Sequence, residues 1–270
     1  MTNHTLVGVV GLGKIGAAVA GHVLASGHPM IGWARRSESL VGFSERGGHV
    51  TESVAGLGAA RVVISVVFDD HALREVAFGP AGLIEAMTPG AIHIAMETIS
   101  PHLARELNEA HAARGQQFLA APVFGRPEAA VRGELAIMCS GSEETFLAVD
   151  TILSTSGKTR WIGPEPEQAM LVKLIGNHMI LTLGELLAET FTFLRAGGVD
   201  AKDAKAALMD ELIPRVFAGY AQRLLEEPGM PRPAGSKIGM KDNALLNEAA
   251  STLGIDLVLA RCLAKLVMTQ

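Results

Sequence analysis

Leu6-Val7-Gly8-Val9-Val10-Gly11-Leu12-Gly13-Lys14-Ile15-Gly16 decides how this chain folds. Leu6–Val10 is a short, continuously apolar run, as a strand covered on both faces requires, and the amphipathic stretch Ile15–Ser26 follows it. Between them stand glycines in G-x-G-x-x-G spacing. That spacing alone says little, but directly after a strand and at the opening of a helix it has the context phosphate binding needs. Gly11 allows a tight turn, Gly13 lets a pyrophosphate approach the backbone, and Gly16 lets the helix pack close to the sheet. Leu12, Lys14 and Ile15 complete the loop, and the helix N-terminus offers unpaired N–H groups and a positive dipole end.

Outward from this stretch, strand-like runs alternate with helical patterns up to about residue 163: His28–Trp33, Arg61–Val67, Ala91–Met96, Phe118–Val123 and Leu135–Cys139. The alternation predicts a doubly wound parallel α/β sheet. After Gly163-Pro164-Glu165-Pro166 the strand signal ends. Helical spacing then runs from Gln168 to Ala196, a helix of roughly 40 Å at ~1.5 Å per residue, and Gly197-Gly198 stops it. Further helices are expected at Ala201–Met209, at Glu211–Leu225 and from about Asp242 to the C-terminus, with a proline-rich loop, Glu227–Pro233, between the last two. The expected organisation is an α/β domain over residues 1–163 and an all-α domain over 164–270, joined by the long interdomain helix.

Composition narrows the function. The 270 residues are 49% hydrophobic and 19% charged, enough for a packed core and unlike a disordered chain. A net charge of −5 argues against nucleic acid, which calls for a basic field. Two cysteines, Cys139 and Cys262, exclude a disulfide framework. The N-terminus lacks the basic n-region of a signal peptide. The most apolar later stretch carries Lys173, Asn177, His178, Glu185 and Glu189, too polar for a membrane span. A soluble cytoplasmic protein is expected. No spacing of His, Cys or carboxylates suggests a metal site.

The end of the second strand selects the dinucleotide. An NAD site places Asp or Glu there for the ribose 2′-hydroxyl. This chain has Trp33-Ala34-Arg35-Arg36-Ser37, whose two guanidiniums and hydroxyl suit a 2′-phosphate, so NADP(H) is the expected cofactor. Farther on, Lys173 stands among aliphatic residues in the long helix, with Asn177 on the same helix face. Desolvation there lowers a lysine pKa toward the range of useful proton exchange, although the same spacing also fits a lysine snorkelling to solvent.

Over essentially its full length the chain resembles the β-hydroxyacid dehydrogenase family, of the 3-hydroxyisobutyrate and tartronate semialdehyde reductase type, to which imine reductases are related. The likeness rests on Gly11/Gly13/Gly16, Thr98-Ile99-Ser100-Pro101, Ala121-Pro122-Val123, Lys173 with Asn177, and Lys241-Asp242. It implies a Rossmann domain followed by an all-helical domain that forms homodimers or homotetramers. It also implies Lys173 as general acid and base in hydride transfer between NADPH and a small carbonyl substrate. Asn177 would orient the lysine or the substrate, and Val67, Thr98 and Lys241 would meet the cofactor. The substrate would meet Glu97, Val123, Phe124, Gly125, Arg126 and Lys173. Two positions depart from the family. Phe124-Gly125-Arg126 replaces the usual Ser-Gly-Gly that holds a substrate carboxylate, leaving Arg126 either a bidentate clamp or a solvated side chain. Glu97 replaces a common serine, and is either a partner for a cationic amine or iminium or hydrogen-bonded structure. Carbonyl reduction is the leading expectation, with imine reduction and a non-catalytic NADPH sensor as alternatives.

Overall fold

Strand β1 (Val7–Val10) is buried at every position because it lies inside a nine-stranded sheet with helices on both faces. The computed structural model describes residues 4–226 and 237–268, so the loop expected at 227–233 lies outside the described residues. Around β1 the sheet contains β2 (Met30–Trp33), β3 (His49–Val50), β4 (Val62–Ser65), β5 (Ile92–Ala95) and β6 (Gln117–Ala120). Strands β7 (Val123–Phe124), β8 (Leu135–Ser140) and β9 (Gly157–Gly163) complete it. The order is β3-β2-β1-β4-β5-β6-β8-β7, with β9 paired to β8. Every pairing from β3 to β6 is parallel, whereas β8 runs antiparallel to β6 and β7. Registers set Val10 opposite Trp33 and Ser65, and Ser65 opposite Ala95, so the carboxyl ends lie level along one edge. Beside β1 the chain turns to β2 on one side and β4 on the other, the switch point at which open α/β sheets form their crevice.

Helices cover both faces. One layer packs Val19 and Val23 of α1 (Lys14–Ala25), with Val149 and Ile152 of α7 (Glu143–Leu153), onto Val9, Ile64, Ile94 and Leu119. The other packs Leu73 of α3 (Asp70–Phe78), Leu103 and Leu107 of α5 (Pro101–Ala112), and Ala169 and Met170 onto Ala95, Phe118 and Ala120. Side chains of the preceding residues start these helices: Asp69 accepts from the Ala72 N–H at 2.9 Å and Ser100 from the Leu103 N–H at 3.2 Å. Three shorter helices, α2 (Glu38–Glu45), α4 (Leu83–Ala86) and α6 (Pro127–Val131), complete this part.

The chain divides into two compact units, Met1–Asn177 and His178–Gln270. Helix α8 (Glu167–Ala196) begins in the first, where Ala169, Met170 and Lys173 are its buried residues. By length and composition it is the one helix, among the described residues, long and apolar enough to cross a membrane. The second unit is helical: α9 (Ala201–Lys205), a π-helical segment (Ala206–Leu212), α10 (Ile213–Glu226), α11 (Lys237–Thr252) and α12 (Val258–Met268). Two helical expectations change. The last helix is two, because Gly254 turns the chain at φ +68 and Ile255 N–H bonds back to the Ala250 carbonyl. The segments expected at 201–209 and 211–225 run together through the π-helical stretch.

Ile94 lies in the middle of the sheet and is fully buried, while Val131 is 68% exposed. Replacing Ile94 with Ala should lower the unfolding free energy by ~2–5 kcal/mol in urea titrations, and Val131→Ala should stay within ~0.5 kcal/mol.

Candidate active site

The turn from β1 into α1 is shaped by close backbone contacts. Gly11 has φ +87, and a Cβ there would stand 2.3 Å from the Val66 carbonyl oxygen. A Cβ on Gly16 would stand 2.0 Å from the carbonyl oxygen of Gly11. Gly13 differs, since nothing lies within 4 Å of its missing Cβ. It is also the N-cap of α1, with no side chain to cap the helix, and the first turn carries no acidic residue. The orphan N–H groups and positive dipole end of α1 are therefore left for an anion.

A cavity of about 460 Å³ opens at this point, lined by residues 10–16, Trp33 to Arg36, Ser39, Val54, Val66 to Phe68, and Ala72, Glu75 and Val76 of α3. Gly11, Leu12, Gly13, Lys14, Ile15 and Gly16, together with Ala34, Arg35, Arg36 and Val67, thus share one cavity. A glycine cradle facing open space beneath a bare helix N-terminus fits a dinucleotide pyrophosphate. Arg35 and Arg36 are exposed, and among the described residues neither guanidinium is held in an ion pair. Ser39, rather than Ser37, lines the wall; Ser37 stands at the N-cap position of α2, exposed and with its side chain making no capping bond. Thr98 is half-buried and off the cavity wall. Lys241 lies in the second unit, on α11, paired with Asp242 at 2.8 Å.

Lys173 sits in the first unit and is only 8% exposed. Its Nζ donates to Asn177 Oδ1 at 2.9 Å and lies 4.3 Å from the centroid of the Phe124 ring. Among the described residues no carboxylate pairs with it, and burial lowers its pKa. Phe124 takes this place because α8 offers it a bare turn: a Cβ on Gly176 would meet the ring at 2.4 Å. Phe124 therefore has a partner, the ammonium beside its ring. Val123 is half-buried on β7, and Gly125 and Arg126 are exposed, with Arg126 at the start of α6. His178 is exposed and belongs to the second unit.

Glu97, just past β5, is buried, and that burial pushes its carboxyl up to about 7. Its Oε1 is hydrogen-bonded to Ser65 Oγ at 2.9 Å and its Oε2 accepts from the Val67 N–H at 3.4 Å. Sequence reasoning passed over Phe68 and Glu75 on the cavity wall and the partners Ser65 and His111, since each owes its place to strand register or helix packing. Among the described residues no group of three or more His, Cys, Asp or Glu is arranged to hold a metal.

With this geometry in hand, residues 6–163 match the family model for the NAD binding domain of 6-phosphogluconate dehydrogenase, and the chain belongs to that family of dinucleotide-binding oxidoreductases. An uncharacterized oxidoreductase of Bacillus subtilis, YfjR, is 31% identical over 94% of this chain and 90% of its own length. L-threonate dehydrogenase of Cupriavidus necator is 35% identical over 72% of this chain and 66% of its length. Among solved structures, an imine reductase from Bacillus cereus shares the fold, with a TM-score of 0.84 and 22% identity over 98% of this chain and 92% of that one.

Two glycines separate folding from binding. Gly16→Ala should cost ~1–3 kcal/mol of stability through overpacking, read by urea unfolding. Gly13→Ala should cost under ~1 kcal/mol. It should nevertheless weaken dinucleotide binding at least tenfold, ~1.4 kcal/mol, read by quenching of tryptophan fluorescence.

Proposed function

We propose that the protein is an NADPH-dependent oxidoreductase that reduces the carbonyl group of a small aldehyde acid, with Lys173 as general acid and, in the reverse direction, general base. The observation that carries this reading is a buried lysine ammonium without a counter-ion among the described residues, hydrogen-bonded to Asn177 and backed by an aromatic ring. A lysine kept for structure is ordinarily exposed or paired. This one is held in a form that gives up its proton readily, and loss of the proton relieves the cost of burial.

On this reading Gly11–Gly16 and the N-terminus of α1 hold the pyrophosphate, and Arg35, Arg36 and Ser39 hold the 2′-phosphate. The reduced nicotinamide supplies the hydride. Lys173 Nζ donates a proton to the carbonyl oxygen as the carbon is reduced, so that the alcohol leaves neutral at oxygen. Asn177 Oδ1, accepting one N–H of the ammonium, fixes the direction of the others. Arg126, exposed and without a partner side chain among the described residues, is the candidate for the substrate carboxylate. The protein acts in the cytoplasm as a homodimer or homotetramer, a second copy covering apolar side chains such as Ile180, Leu181, Leu183 and Phe217, which are 48–69% exposed.

Reduction of C=N is the second reading. Phe124 favours it, because an aromatic ring where a carboxylate-binding serine is usual suits a less polar substrate. Glyoxylate, succinic semialdehyde and a cyclic imine, each mixed with NADPH, separate the two. Turnover of the aldehyde acids is expected, and turnover of the imine alone would replace the carbonyl reading with the second. Lys173→Ala should lower turnover by ~10²–10⁴-fold while NADPH affinity stays within about twofold; turnover that survives the change would remove Lys173 from the mechanism.

A further inference from the structure

A line of buried polar side chains crosses the second half of the sheet behind the carboxyl ends of β4 and β5. It runs from Glu97 to Ser65 (2.9 Å), from Ser65 to His93 Nε2 (2.9 Å), from His93 Nδ1 to His111 Nε2 (2.8 Å), and from His111 Nδ1 to Gln116 Oε1 (2.7 Å). All of these residues are at most 5% exposed. Phe118 closes over the two imidazoles, edge-on to His93 at 5.5 Å and stacked on His111 at 5.9 Å.

The far end of the line fixes its direction. Gln116 Nε2 points at the carbonyl oxygens of Ile84 (3.2 Å) and Met87 (2.6 Å), which only accept, so its Oε1 must accept from His111. His111 therefore carries its proton on Nδ1 and accepts at Nε2, and His93 carries its proton on Nδ1 and presents a lone pair at Nε2. Both imidazoles are held neutral, since burial lowers both pKa values, that of His111 to about 4. Ser65 has one proton and faces His93 Nε2 and Glu97 Oε1, with the Ile94 carbonyl farther off at 3.4 Å. If Glu97 were a carboxylate, it would keep its backbone N–H donors, but it and His93 would compete for that single proton, and the loser would face the hydroxyl oxygen acceptor to acceptor inside the protein. A proton on Glu97 Oε1 resolves the line: Glu97 donates to Ser65, Ser65 to His93, His93 to His111 and His111 to Gln116.

The other end lies directly behind the cavity wall. Glu97 follows β5, in the half of the sheet that takes the second mononucleotide, and its Oε2 accepts from the backbone N–H of Val67, a cavity-wall residue. The ionisable groups facing it across the line are His93 on β5 and His111 on α5. On α3, Asp69 caps its own helix and Asp70 accepts from the Ser100 N–H at 2.8 Å. Among the described residues no basic side chain hydrogen-bonds or ion-pairs with Glu97.

We propose that Glu97 stands as a neutral carboxylic acid in the free protein, oriented by the line that Gln116 anchors, and gives up its proton to bulk water when an oxidised, cationic dinucleotide binds. The positive nicotinamide ring then supplies the counter-charge that the buried carboxylate lacks, and a reduced dinucleotide, with no such charge, leaves the proton in place. Glu97 becomes a residue that sets the preference of the site between oxidised and reduced cofactor. The release rests on the dinucleotide reading of the cavity, whereas the neutral acid does not.

Infrared difference spectra of the cofactor-free protein, wild type minus Glu97→Gln, test the first part. The substitution keeps a donor and an acceptor where the neutral acid has them. A carboxylic-acid carbonyl band that shifts in heavy water and disappears through a transition near pH 7 is expected, and its absence would overturn the proposal. Tryptophan fluorescence titrations test the second. As pH rises on the acid side of the Glu97 transition, NADP+ affinity should increase by up to about tenfold per unit. NADPH affinity should stay level, and Glu97→Gln should flatten the NADP+ response. An undiminished NADP+ slope in that variant would place the released proton elsewhere and overturn the release. Failure of either dinucleotide to bind would overturn the cofactor reading and the release with it, leaving the infrared band to decide the neutral acid by itself.

Discussion

The contact that the first unit depends on is the approach of α1 to the end of β1, where the Gly16 backbone lies so close to the Gly11 carbonyl that a Cβ would stand 2.0 Å away. No other residue type permits this packing. Because of it the axis of α1 brings its N-terminus to the level edge formed by β1, β2 and β4, and Gly13 is left facing open space. The same closeness lets Val19 and Val23 reach the strands and join the core that also holds Ile64 and Ile94. Folding and anion recognition are two results of one backbone arrangement, which is why Gly16 bears on stability and Gly13 on binding.

Within the first unit two buried ionisable groups are driven in opposite directions by one cause. Burial raises Glu97 to about 7 and lowers Lys173. In each case burial shifts the balance toward the neutral form, since neither has a counter-ion among the described residues. Their surroundings differ in kind. Glu97 is tied into a rigid polar line whose every other member is fixed by strand register or by the Gln116 amide, whereas Lys173 has a single amide acceptor and an aromatic ring. A group in the first setting holds its proton until a charge appears beside it; a group in the second is free to pass its proton on.

Much of the fold was legible because its signals are local. Apolar runs covered on both faces mark β1, β2, β4, β5, β6 and β8, and the glycine spacing marks the turn into α1. Strands β3 and β7, each of two residues, leave no pattern to read. The break between α11 and α12 turns on Gly254 alone, which in a helical stretch reads as a tolerated glycine. At the site, the lysine and its amide partner were visible as a pair four residues apart, and the basic pair after β2 stood out for its missing acid. Phe124 read as a loss, because the space it fills is created by Gly176, distant in sequence. Ser65, His93, His111 and Gln116 come from β4, β5, the last turn of α5 and the turn that follows it, and only the register of the sheet places them in line.

The proton-donor role of Lys173 is most directly tested by the pH dependence of single-turnover NADPH oxidation with an aldehyde acid in excess. A rate that falls on the alkaline side with an apparent pKa below the ordinary lysine value of about 10.4 is the expected result, since the ammonium must be present when the carbonyl is reduced and burial makes it lose its proton early. A rate that stays level through the ordinary lysine range would contradict it and assign the proton to another donor.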